Sequence, residues 1–486
     1  MRAGARQSAI AALMLAAALA LRCATFGNPN LGIDDQFYLL VGQRMHEGLL
    51  PYVDVWDRKP IGLFLIYWLI AFLPSPVLAY QLAATGCAAV TGWVVQRIVL
   101  RLTGAQGAAV MAGLAYVALL GPFDGFGGQA PVFYNLPMAL AALSVVQGDG
   151  ALAQGRVLGR VWGAMALCGA AIAIKQTAAF EAAFLGLWSA VALWRSGART
   201  GRVALVVAGW MALGVGPFVL AGLAYALGGH GAAWWQAMVL ANLHKAPFPP
   251  GQLAHQAIAV GLRIAPLLAL AVWGCWRASW QLGGRMALFG GLWLGAALVG
   301  FVAVPNFFIH YALPLLVPAC VLAGAAFAGS GRLAFVALML WCWLWYDPAD
   351  FAWNRNAAAS MRALAGDVAA HDHGGGLLVF DGPVWLYAMT GRPFLSPLVF
   401  PHHLNHAIER NVSQFDTDRE IDRILARRPG AVVMSVWVRN LPANAYATAR
   451  VRDYVARNCR WSHPVMLYEQ LVQVPMRVYG ECRAPG

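Results

Sequence analysis

Two adjacent carboxylates, Asp34 and Asp35, open a stretch reading GIDDQFYLLVGQRMHEGLLPYVDVWDRKPIGLF, whose later part carries Asp57, Arg58 and Lys59. Five of the eight acidic residues in the first 346 positions fall here: Asp34, Asp35, Glu47, Asp54 and Asp57. Apolar sequence of membrane type flanks it on both sides. Charge is costly near a bilayer, so a concentrated island of it marks a functional site by default. One carboxylate beside another, partly desolvated, can have a raised pKa. So placed, it can deprotonate a hydroxyl or an amine. Arg58 and Lys59 can clamp a phosphate ester, which both side chains bind well. The chemistry is that of a base meeting a phosphate. Plainer roles stand beside it. Asp35 can cap a helix, where an anion suits the dipole, and Arg58 and Lys59 can snorkel beside lipid headgroups. Two carboxylates exceed what capping needs, however, and Lys59 falls on the side of the membrane where positive charge is disfavoured.

The chain has only three lysines, Lys59, Lys175 and Lys245. Lys175 lies in AIAIKQTAAFEAAF, near the outer end of an expected span, where it can pair with Glu181 or approach a phosphate. His244 and Lys245 lie in AWWQAMVLANLHKAPFPPG and can contact a substrate. They can equally anchor the interface, since Trp234 and Trp235 suit an aromatic belt. His310 and Tyr311 open a late helix at the outer face, in contact with substrate or in local hydrogen bonds. Arg22, near the outer end of the first helix, can neutralise a carboxylate or reach a phosphate. His402, His403 and His406 have metal-like spacing but read as an exposed loop without an acidic partner, so no metal is assigned to them.

These residues need a scaffold. Of 486 residues, 60% are hydrophobic, 11% are charged and 20 are Trp. A soluble protein carries about 25% charged residues, so this is an integral membrane protein. The net charge of +13 is mostly arginine beside apolar segments, which marks cytoplasmic ends rather than nucleic-acid binding. Residues 1–26 have a basic start and an apolar run. Arg22 and Cys23 follow without a small-x-small site, so an uncleaved helix with a cytoplasmic N-terminus is expected rather than a signal peptide. Residues 61–73 are too short to span, since a span needs about 20 residues. Phe37, Leu40, Val41, Arg44 and Met45 recur at helical spacing, as in an amphipathic interfacial helix. Further spans are expected at 77–102, 106–121, 131–147, 161–176, 178–194, 203–227, 256–276, 286–304, 310–329 and 332–346. Arg97, Arg101, Arg156, Arg160, Arg195, Arg199, Arg202, Arg277, Arg285 and Arg332 then face the cytoplasm. With about eleven transmembrane helices, the acidic island and the C-terminus lie outside.

From Asp347 the composition becomes ordinary. LLVF (377–380) and AVVMSVWV (431–438) read as strands; DREIDRILARR (418–428) and ANAYATARVRDYVA (443–456) read as helices. The expected fold class is an α-helical polytopic membrane protein with a small C-terminal extracytoplasmic α/β domain. Residues 1–346 form the membrane domain, with a first outer loop at 27–76, and residues 347–486 form the second domain. The glycine run 374–376 precedes a strand and does not fit a phosphate loop. Of eight cysteines, six lie in or beside apolar segments, as small apolar residues. Cys459 and Cys482, if extracytoplasmic, can form a disulfide.

The pattern DD-x-x-Y, then D-x-x-D-R-K-P, after a first membrane helix resembles the polytopic glycosyltransferases of the C superfamily. The closest group is that of protein O-mannosyltransferases and lipid A aminoarabinose transferases. Asp34 and Asp35 match the family's acidic pair, and Asp57 with Lys59-Pro60 matches its acidic residue near Lys/His-Pro-Pro-Leu. Ile61 replaces the usual second proline. The run HYALPLLVPACVLAG (310–324) also resembles a family segment. The resemblance implies a polyprenyl-phosphate-linked sugar donor, membrane lipids as partners and an extracytoplasmic acceptor, whether glycolipid, lipid A, polysaccharide or protein. It implies an inverting single displacement in the plasma (inner) membrane. Asp34 would be the base, assisted by Asp35. Lys59 and Arg58 would hold the donor phosphate, with Lys175 and Arg22 beside them. Tyr38, Asp57, His244, Lys245, His310 and Tyr311 would contact substrates. No cofactor is expected; adjacent carboxylates could hold a divalent ion, although the group generally works without one. A transporter or lipid flippase would instead place ionisable groups near the midplane, in repeated halves. A polysaccharide ligase or polymerase would gather cations in a large outer loop.

Overall fold

A computed structural model describes residues 2–281, 284–437, 442–469 and 472–482. The chain divides into two compact units. One holds Met1–Ala24, Leu82–Ala221 and Pro250–Ala349; the other holds Thr25–Gln81, Gly222–Pro249 and Asp350–Gly486.

The first unit is helical. Helices occupy every place where a span is expected, from Arg2–Arg22, Pro76–Thr103 and Gln106–Leu119 to Arg285–Val302 and Arg332–Trp345. Six of the described helices are long and apolar enough to cross a membrane; Gln106–Leu119, Gly159–Ile174, Ala287–Val302 and Arg332–Trp345 are apolar but shorter. The expected span at 310–329 begins as a tight turn, Ile309–Leu315, before the helix Leu316–Ala326. Pro314 sits inside that turn, where its missing N–H removes a helical hydrogen bond. Small residues let helix backbones meet, as is usual in membranes. A Cβ on Gly113 would lie 2.5 Å from the Gly92 carbonyl oxygen, and one on Gly274 would lie 1.9 Å from that of Leu322. Buried polar groups find partners across helices. The Asn135 amide donates to the Leu313 carbonyl at 3.0 Å, and the Trp293 indole donates to Glu181 at 2.8 Å. Arg285 grips Asp149 through two bonds of 2.8 Å.

In the second unit, the helices Ile33–Met45 and Ile61–Ile70 pack face to face. Tyr38 meets Tyr67 with ring centroids 5.6 Å apart, and Phe37 meets Phe64 at 6.4 Å. Residues 35–42 are all buried, more than an interfacial helix needs. The cause is a second cover from the C-terminal segment, where Phe400 lies 5.2 Å from Phe37 and the Trp385 amide donates to Gln36. Gly42 is the point of closest approach. A Cβ there would lie 2.6 Å from the Tyr67 carbonyl carbon and 2.7 Å from the Trp68 nitrogen. Gly42→Ala is therefore expected to destabilise the protein by about 1–3 kcal/mol, because overpacking against backbone cannot relax by a rotamer change. A lowered thermal midpoint in detergent checks this; an unchanged midpoint would show that the two helices separate freely.

The C-terminal segment is α/β. Strands β1 (Leu377–Val379), β2 (Ala431–Ser435), β3 (Cys459–Glu469) and β4 (Val472–Cys482) form one sheet in the order β1-β2-β4-β3. β1 and β2 are parallel, with Leu378 opposite Val432; β4 runs antiparallel to β2 and β3. Helices Phe351–His371, Thr417–Ala426 and Ala445–Asn458 accompany it. Each starts on a side-chain cap, from Asp350, Asp416 and Asn444, which satisfies amides that a helix start leaves open. Ile421, Ile424, Val432 and Val451 share one core. The expected strand at 431–438 ends at Ser435, and Val438 lies outside the described residues. Cys459 and Cys482 are register partners joined by a disulfide.

The last segment of the helical unit ends at Ala349, and Asp350 opens the last segment of the other. Residues of the first outer loop share their compact unit with Gly222–Pro249 and Asp350–Gly486. Backbone and amide groups tie it there. The Trp56 amide donates to Pro397 at 2.9 Å, Asn30 to Tyr468 at 2.7 Å, and Gln414 to Tyr52 at 2.7 Å.

Candidate functional site

Gly32, in extended conformation, is the residue before the helix Ile33–Met45, and Asp34 and Asp35 fall in its first turn. Neither carboxylate is the cap itself; both lie where the helix dipole favours negative charge. Asp35 is buried and Asp34 is half-buried. One turn on, Tyr38 is 1% exposed. Burial first, then the charges of Asp34, Asp57 and Asp35, push its phenol well above the usual range. It therefore stays protonated and keeps an O–H to donate. The Lys59 ammonium stands 5.4 Å from the Tyr38 ring centre. The acidic pair, Asp57 and Lys59 thus surround one tyrosine.

The loop between the two helices is built to present Lys59. The Tyr52 amide donates to Val55 at 2.7 Å, with Tyr52 at φ 70°, and the Leu50 amide donates to Asp54 at 2.8 Å. The buried Tyr52 hydroxyl donates to the Lys59 carbonyl at 2.8 Å. Asp57 accepts the amides of Arg58 and Lys59, the latter at 2.8 Å, and lies 3.9 Å from the Lys59 ammonium. A short carboxylate that holds the next two amides fixes a turn locally. Asp57 is thus the residue that sets the turn under Lys59. Glu47, by contrast, pairs at the surface with Arg44.

A third cation joins from the segment Gly222–Pro249. Lys245 and Arg58 both reach Oε1 of Glu409, each at 2.9 Å. Glu409 is 5% exposed. Burial alone would raise its pKa, but Arg58, Lys245 and His403 outweigh that and hold the carboxyl well below its usual range. Lys245 is pushed down by burial, against the pull of Glu409. Oε2 of Glu409 has no hydrogen-bond partner among the described residues.

The three histidines read as an exposed loop are not exposed. His403 and His406 are buried and His402 is partly so. His403 stands edge-on to Trp56 at 4.6 Å, His402 to Phe400 at 5.0 Å, and His406 leans on Phe248 at 5.6 Å. Burial above all pushes His402 and His403 down to about 3, helped at His402 by the neighbouring histidines and at His403 by Arg58, Lys59 and Lys245. Both are neutral at physiological pH, which adds no positive charge to the cluster. No group of three His, Cys, Asp or Glu among the described residues is placed to hold a metal ion.

Other candidates gather in the helical unit. Lys175 ends the helix Gly159–Ile174, with its ammonium 4.5 Å from the Tyr311 ring centre. His310 lies edge-on to Tyr311 at 4.8 Å. Glu181 accepts a hydrogen bond from the Trp293 indole at 2.8 Å. Arg22 is buried and donates to Thr85 at 3.0 Å and to the carbonyls of Gly125 and Gly127 at 2.6 and 2.7 Å. It is a clamp on the turn that follows Gln106–Leu119. His244, adjacent to Lys245, is exposed. Glu409 was not foreseen. Its one signal in the sequence is that Arg58 and Lys245, if buried on the outer side, need a carboxylate.

No protein-family model and no curated protein sequence matches the chain. Solved structures do. ArnT from Cupriavidus metallidurans in the apo state superposes with a TM-score of 0.63 at 15% identity, over 100% of both chains. The same protein bound to undecaprenyl phosphate gives 0.59 at 15% identity, over 97% of this chain and 98% of that one. The apo oligosaccharyltransferase of Archaeoglobus fulgidus gives 0.52 at 12% identity, over 88% of this chain and 69% of that one. Identity this low bears on the fold alone. The chain has the fold of ArnT and shares it, less closely, with the archaeal oligosaccharyltransferase.

Proposed function

We propose that this chain is an integral membrane glycosyltransferase. It moves a sugar from a polyprenyl phosphate to an acceptor on the extracytoplasmic side of the plasma membrane. The observation that supports this most directly is the grouping of Asp34, Asp35 and Lys59 around Tyr38, with Arg58 and Lys245 nearby on Glu409. A base and a phosphate clamp are thereby in one compact unit. The fold is shared with a protein crystallised on undecaprenyl phosphate.

In this reading Asp34 removes the proton from an acceptor hydroxyl or amine as that atom bonds to the anomeric carbon. The bond from that carbon to the phosphate oxygen breaks, and its electron pair leaves with the polyprenyl phosphate. Charge therefore builds on the phosphate, where fixed cations stabilise it most. Lys59 is the principal cation, set in place by Asp57; Arg58 and Lys245 add to the field. Asp35 sustains the base, and the protonated Tyr38 donates toward the anion. Lys175, set against Tyr311, is proposed as a further phosphate contact. Arg22 serves the scaffold.

Lipid and glycan mass spectrometry of a deletion strain against wild type tests this reading. One envelope component should lose the mass of a single sugar, and the sugar-loaded polyprenyl phosphate should accumulate. An unchanged profile in both fractions would remove it.

A further inference from the structure

Two cations from distant parts of the chain converge on a single oxygen of Glu409. Arg58 follows the turn at Asp57, Lys245 precedes Phe248, and both lie 2.9 Å from Oε1. Glu409 sits after the short helix His402–Asn405, in a segment packed on Trp56 through His403. The carboxylate faces these two cations through that one oxygen. It subtracts one charge from the clamp itself. A clamp designed only for tight binding would omit it.

Phosphate chemistry gives that subtraction a purpose. A sugar-loaded polyprenyl phosphate is a diester with one negative charge. The polyprenyl phosphate that leaves is a monoester, and a monoester has a second pKa of about 6 and so approaches two charges at neutral pH. Extra positive charge therefore favours product over donor. From this we infer that Glu409 tunes the phosphate clamp for product release, acting as a positioning and charge-balancing residue through Arg58 and Lys245. This rests on the clamp proposed above. Removing the carboxylate should tighten the grip on a monoester more than on a diester. Turnover would then slow at release while donor affinity improves. A purely structural Glu409 would do the opposite, loosening both ligands together.

The test uses the purified full-length protein in detergent at pH 8, with undecaprenyl phosphate as monoester and its methyl ester as diester. Glu409→Gln should bind the monoester about ten-fold more tightly and shift the diester less, by about three-fold, as one unit of nearby charge interacts with two ligand charges rather than one. Glu409→Asp keeps the charge and should retain the wild-type ratio. If Glu409→Gln does not fold, the double variant Glu409→Gln/Arg58→Gln is read instead. It removes one charge of each sign and should return the monoester-to-diester ratio to the wild-type value. A ratio unchanged in Glu409→Gln, weaker binding of both ligands, or a double variant displaced from wild type overturns the inference. Failure of the wild-type protein to bind either lipid would instead sink the phosphate clamp, and with it the reading on which this one stands.

Discussion

Asp34→Asn is expected to lower sugar transfer by about 100- to 10,000-fold, the span typical of a lost general base. Undecaprenyl phosphate binding should be retained. The two measurements separate because Asn keeps the size of Asp but takes no proton at neutral pH. Asp34 is half-buried in the first turn of its helix, and it is one of three carboxylates whose charge bears on Tyr38. Asp35, fully in the interior, is less able to meet an acceptor arriving from solvent. Asp35→Asn should therefore cost less than Asp34→Asn. Folding of each variant is read independently by its thermal midpoint. Full transfer by Asp34→Asn would move the base elsewhere, first to Asp35.

The helical scaffold and the acidic pair were legible in the sequence for the same reason: both are local. A span announces itself by about 20 apolar residues in a row, and Asp34-Asp35 or Asp57-Arg58-Lys59 are neighbours in the chain. The Arg58–Glu409 pair is not local; its partners are 351 residues apart, and no pattern within either segment points to the other. The histidine run was misread because polar residues in a row suggest solvent. It is buried because Trp56, Phe248 and Phe400 supply aromatic cover from three segments. The β3–β4 hairpin was missed for a related reason. Pro464 and Pro475 argue against strand interiors. In the folded sheet β3 is an edge strand, which tolerates Pro464. Pro475 lies one step past the last paired residue of β2, where its carbonyl accepts from Val436 and its missing N–H is not needed by β2.

Lys59→Ala should lower kcat/KM for a polyprenyl-phosphate sugar by about 100- to 1,000-fold, the usual cost of removing one preorganised group that meets developing charge. The fall should lie more in kcat than in KM. Arg58 and Lys245 remain to hold the ground-state phosphate, whereas the ammonium of Lys59 stands over the Tyr38 ring, one helical turn from the acidic pair. Its placement also has a separable cause. Asp57 holds the Arg58 and Lys59 amides, and Tyr52 holds the Lys59 carbonyl. Asp57→Asn keeps one acceptor oxygen for those amides and removes the charge. It should lower kcat/KM less than Lys59→Ala does, and a double variant with Lys59→Ala should be no worse than Lys59→Ala alone. That non-additivity is what residues acting as a unit produce. Additive losses would mean that Asp57 touches substrate in its own right, which is the role first read for it from the sequence. Lys59→Arg discriminates further, because a planar guanidinium cannot replace a compact ammonium where one point charge is needed. It should recover ground-state binding before it recovers turnover.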